Sequence, residues 1–180
     1  MAEDIKTQGI PQKKLRPLLD KLRDRIRNHE VFQDTCEKYG IDESELDLVP
    51  MAFADLEVSA RTDHGIIYFG LKLLDENDEL TDFVEEDDHY LPHEWTHFCQ
   101  QTTGSQPTRG SDSGDYLKNP EEVEGFQNQL EYIADTKGED KAEKYVDRVL
   151  DHHDSKGKDR KEKKDKLMAR AMRRNLLNRL

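Results

Sequence analysis

Residues 93 to 97 of this chain read His-Glu-Trp-Thr-His, inside the stretch "HYLPHEWTHFCQQTTG" that runs from His89 to Gly104. On a helix, that spacing puts two imidazoles on one face with a carboxylate beside the first. Neutral imidazole nitrogens bind zinc at about 2.0–2.1 Å, and a helix aims two of them at one point. Glu94, next to the first ligand, is placed to take a proton from a zinc-activated water and to pass it to a leaving amine. The bland alternative is a surface helix with two solvated histidines. Tyr90, Leu91, Trp95, Phe98 and the stem of Gln101 weigh against it, because they give the same helix an apolar surface that must pack into a core.

A catalytic zinc takes a third protein ligand and keeps one position open. Glu121, Glu122 and Glu124 of "NPEEVEGF" are the candidates. Glu122 shares a helical face with Phe126, Gln129 and Ile133 and is preferred, with Glu124 second. Each has a competing role. With Asn119 as N-cap, Glu122 stands where a capping-box side chain reaches back, and Glu121 and Glu124 are first-turn acids that suit the helix dipole. Cys99 lies two positions past His97 and so faces elsewhere, as a small buried thiol. In "DHHD", Asp151 to Asp154, adjacent histidines on a helix diverge by about 100°, which favours a solvated helix end over a second metal site.

Other elements must position these groups. "PLLDKLRDRIRNHEVFQDTCEKYG" predicts one or two amphipathic helices stopping at Gly40, and Asp42 or Ser44 caps a short turn before Pro50. Leu56, Val58 and Ala60 alternate with polar residues, Asp63-His64-Gly65 reads as a turn, and Ile66 to Phe69 is β-rich, so a hairpin is expected. The polar run "DENDELTDFVEEDD" reads as loop, the motif helix spans about Asp88 to Gly104, and "TTGSQPTRGSDSGD" is loop by composition. Asn119-Pro120 opens the next helix, and "KAEKYVDRVLDHH" forms another.

Charge divides the chain. Of 180 residues, 38% are charged and 33% hydrophobic, and the net charge of −12 hides a segment, residues 155 to 180, with eleven Lys or Arg against three Asp or Glu. That segment reads as a flexible lysine-rich linker leading to a weakly amphipathic basic helix, with Leu167, Met168, Ala171, Met172 and Leu176 on one face. It is an arm suited to an acidic partner or to nucleic acid, but it lacks interleaved aromatics for base stacking. Two cysteines make no disulfide framework, the N-terminus has no apolar signal core, and no run suits a membrane span, so a cytoplasmic location is expected.

The order of hairpin, H-E-x-x-H helix, loop and glutamate-bearing helix resembles the gluzincin zinc metallopeptidases, especially the compact minigluzincins and small metallopeptidase-like proteins of phages and bacteria. Their third ligand often lies in Glu-x-x-Ala-(Asp/Asn). Glu122 to Phe126 matches with Gly125 in place of Ala and without the acidic fifth residue. The resemblance covers roughly residues 50 to 135. It implies an α+β fold with a compact zincin-like domain, residues 50–154, whose short, mostly antiparallel sheet lies on the motif helix; the N-terminal helical segment, 1–49, and the basic flexible or helical tail, 155–180, lie outside the resemblance. It implies a Zn2+-dependent peptidase of peptide or protein substrates in which His93, His97 and Glu122 bind metal and Glu94 is the general base. "GIIYFGLK" would be an edge strand that holds substrate by strand addition, with an inner strand as the alternative reading. Tyr116, Tyr132, His152 and His153 are the candidates for stabilising an oxyanion. The rival is a non-catalytic zincin-fold structural or binding protein, such as a phage particle component.

Overall fold

Leu15, Leu18, Leu19, Leu22 and Ile26 recur at three- and four-residue intervals, and all five are buried along one side of the first helix, α1 (Gln12–Arg27). The computed structural model describes residues 12–74, 83–104 and 116–177. The chain divides into two units, Met1–Gln106 and Pro107–Leu180.

In the first unit, α2 (Glu30–Tyr39) starts where the His29 ring accepts a hydrogen bond from the Val31 amide at 3.2 Å. It stops at Gly40, whose φ of 63° lets the Ile41 amide return to the Cys36 carbonyl at 3.0 Å. Arg23 of α1 donates to the carbonyls of Leu46 (2.9 Å) and Val49 (3.0 Å), which fixes the short α3 (Glu45–Leu48).

Three strands follow: β1 (Met51–Ala54), β2 (Ala60–Asp63) and β3 (Ile66–Gly70), in the spatial order β1-β3-β2. The β2–β3 hairpin forms at the expected turn, where His64 and Gly65 take φ of 49° and 77°, as a type I′ turn requires. The first hairpin strand is shorter than the alternation suggested, and Val58 is exposed. The sheet is mixed, because β1 pairs parallel with β3 from Met51↔Ile67 to Ala54↔Gly70. That corrects the expectation of a mostly antiparallel sheet. β1 follows Pro50 directly and has only four residues, too few to show a period. β3 is therefore the inner strand, and its reading as a substrate-holding edge is overturned; among the described strands, β2 and β1 are the edges.

Gly70 closes the hairpin at its far end. Its amide donates to the Ser59 carbonyl at 2.7 Å, and a Cβ there would lie 2.9 Å from the Val58 carbonyl oxygen. Gly70→Ala should therefore cost about 1–3 kcal/mol, read as a lower urea midpoint at unchanged slope.

Phe53 and Phe69 of the sheet meet Phe83, with ring centroids 5.1–5.7 Å apart. Phe83 and Val84 belong to a π-helical turn, Phe83–Asp87, and are buried, so the end of the expected polar loop is core. Residues 75–82 and 105–115, which hold the rest of that loop and most of the next one, lie outside the described residues. The motif helix, α4 (Tyr90–Thr102), then packs on α2 and on β2.

The second unit is three helices. Asn119 caps α5 (Pro120–Lys137) by accepting from the Glu121 amide at 3.0 Å, and proline takes the first position, as expected. α6 (Glu139–His152) buries Ala142, Val146 and Leu150. The basic segment does not form a flexible arm. It forms α7 (Gly157–Leu177), and Leu167, Met168 and Ala171 are buried in one core with Phe126, Leu130, Val146 and Leu150. Met172, expected on that apolar face, is 47% exposed. Several of its bases meet acids of its neighbours, Arg160 bonding to Asp147 and Asp151 and Lys164 to Asp147, and Arg170 donates to the Asn128 amide oxygen.

Candidate metal centre

Three elements of the first unit hold the motif helix in place. The α1 residue Arg25 pairs at 2.9 Å with Asp88, a fully buried carboxylate just before the helix. Trp95 packs on Phe32 of α2, with centroids 5.1 Å apart. From β2, Thr62 bonds to Glu94, and its carbonyl accepts from Gln101 Nε2 at 3.3 Å. Glu94 and Gln101 are two helical turns apart, so the strand runs along one side of α4.

His93 and His97 converge as their spacing predicts. Their Nε2 atoms are 3.0 Å apart and their rings are steeply inclined, at 70°. His93 is buried and His97 half-buried. Two nitrogens on one tetrahedral zinc stand about 3.3 Å apart for bonds near 2.05 Å, so the pair fits a shared cation.

The tautomer agrees. His97 Nδ1 is 2.8 Å from Gln100 Oε1, which only accepts, so the contact suits the tautomer that carries its proton on Nδ1 and presents Nε2 as a lone pair. Gln100 supplies the orienting partner that metal-binding histidines generally have. No residue was expected in this role, which falls to an amide three residues past the histidine. Position i+3 on the same helix was the available signal.

Glu94 is buried, and its Oε2 accepts from Thr62 Oγ1 at 2.8 Å. Thr62 lies 32 residues away in sequence, and nothing in the motif points to it.

In the second unit, Glu122 stands in the first turn of α5 and is buried, as are Phe126, Gln129 and Ile133 on the face expected for them. Glu121 and Glu124 are partly exposed. Among the oxyanion candidates, Tyr132 is buried in α5, and Tyr116 stacks on His153 with centroids 5.0 Å apart. Burial holds the His153 ring below the ordinary imidazole pKa, helped by the nearby charges of His152 and Lys163, while Glu122 pulls the other way. The His152 and His153 rings stand at 86°, in line with their divergence on a helix, and they belong to no metal-ligand group among the described residues.

Both cysteines are buried and free. Burial pushes the Cys36 thiol up to about 11, against the nearby Trp95 indole, which favours the thiolate, so it is no nucleophile at neutral pH. No helix among the described residues is long and apolar enough to cross a membrane. No family model, curated protein or solved structure matches the chain.

Proposed function

We propose that this protein is a zinc-dependent peptidase of the gluzincin kind, with His93, His97 and Glu122 as metal ligands and Glu94 as the group that accepts and returns the proton. The observation that carries the reading is the convergence of His93 and His97, whose Nε2 atoms lie 3.0 Å apart on a helix that also buries the Glu94 carboxylate. The Gln100 contact supports it further, because it leaves His97 Nε2 as a donor to metal.

A divalent cation bound there supplies a Lewis acid that polarises an amide carbonyl and acidifies water. The side chains do the rest. Glu94 keeps Oε2 bonded to Thr62 and has Oε1 for the proton, which it later delivers to the departing amine nitrogen. Gln100 holds the His97 ring against rotation. The mixed sheet presents β2 along α4, which brings Thr62 to Glu94.

Metal analysis of the purified protein tests the ligand set. One zinc per chain is expected in the wild type and in Glu124→Ala, and loss of most of it in His93→Ala, His97→Ala and Glu122→Ala. Full occupancy in all four variants would refute the assignment.

A further inference from the structure

We infer that Thr62 is a positioning residue for Glu94, setting which carboxylate oxygen is left to handle the proton; this rests on the reading of Glu94 as the proton acceptor. Thr62 Oγ1 lies 2.8 Å from Glu94 Oε2 and 2.9 Å from the backbone oxygen of the same residue. A hydroxyl has one proton to give, and the carboxylate is the stronger acceptor. The bond therefore ties Oε2 and fixes the plane of the carboxylate.

The hydroxyl is itself held from several sides. A β-branched side chain in a strand has few χ1 choices, and Thr62 is buried opposite Ile67, which is fully buried. The Gly70 amide bonds to the Ser59 carbonyl, so along this hairpin Asp63↔Ile66 and Arg61↔Tyr68 are the hydrogen-bonded pairs and Thr62↔Ile67 is not. The Thr62 carbonyl consequently points away from β3, where Gln101 Nε2 reaches it. One residue thus grips α4 twice, through its backbone at Gln101 and through its side chain at Glu94. A carboxylate free to rotate about its last bond would present either oxygen at varying angles, and proton transfer is sensitive to that geometry.

Thr62→Ser keeps the hydroxyl and Thr62→Val keeps the shape without it. Each full-length variant is assayed for peptide hydrolysis below its own melting temperature and analysed for bound zinc. Thr62→Val should lower kcat by about 10- to 100-fold with KM and zinc per chain unchanged, and Thr62→Ser should recover most of the loss. Wild-type kcat in Thr62→Val, equal impairment of the two variants, or parallel loss of kcat and zinc would each overturn the inference. If the wild type cleaves no peptide, the peptidase reading fails, and the positioning role is decided by crystal structures of the two variants. A Glu94 carboxylate rotated in Thr62→Val and unmoved in Thr62→Ser sustains it, and one unmoved in both overturns it.

Discussion

Removing residues 155–180 is expected to abolish the cooperative unfolding of the second unit. A unit of this size holds roughly 4–11 kcal/mol in total. Leu167 and Met168 are 1% and 2% exposed, and truncating a buried Leu or Met to Ala costs about 2–5 kcal/mol. Deleting the whole helix also uncovers the faces of α5 and α6 that it covers. The ion pairs add less, because Arg160 and Lys164 meet Asp147 and Asp151 near solvent, where such pairs contribute about 0.2–1 kcal/mol each. The apolar seam therefore dominates, and high salt should weaken the unit only slightly. Thermal unfolding followed by circular dichroism checks this. Leu167→Ala should lower the transition markedly, Met172→Ala should stay within about 0.5 kcal/mol of the wild type, and an unchanged melting temperature after truncation would show that the helix packs on nothing.

The second large effect is on chemistry. Glu94→Gln should reduce peptide hydrolysis by about 10²–10⁴-fold while leaving zinc content and melting temperature close to those of the wild type. The amide preserves the shape, and its oxygen still accepts from Thr62, so the surroundings have little reason to move. Its nitrogen end can neither accept nor return a proton. Equal rates in the two proteins would remove Glu94 from the mechanism. Stoichiometric zinc with no hydrolysis in either would make the centre structural, as in the non-catalytic alternative.

What could be read from sequence follows the range of the interactions. The Gly40 stop, the Asn119-Pro120 start and the His64-Gly65 turn depend on neighbouring residues, and each stands where the local chemistry puts it. The His93–His97 convergence is also local, being one helical turn. β1 was missed because its partner, β3, is parallel and more than ten residues away, and four residues carry no pattern of their own. Thr62 was missed for the same reason, since a strand residue acquires its role only when the sheet meets the helix. The basic helix was misjudged differently. Its Leu167, Met168 and Ala171 were seen as a face, but the surrounding lysines suggested solvent, whereas long basic side chains can lie along a packed helix and reach acids at its rim.

Gln100 gives the His97 ring a partner that is neutral at every pH. A carboxylate in that place would add negative charge beside the imidazole and would lose its grip when protonated in acid; an amide does neither. The alignment of His97 is thus insulated from acidity on the acceptor side.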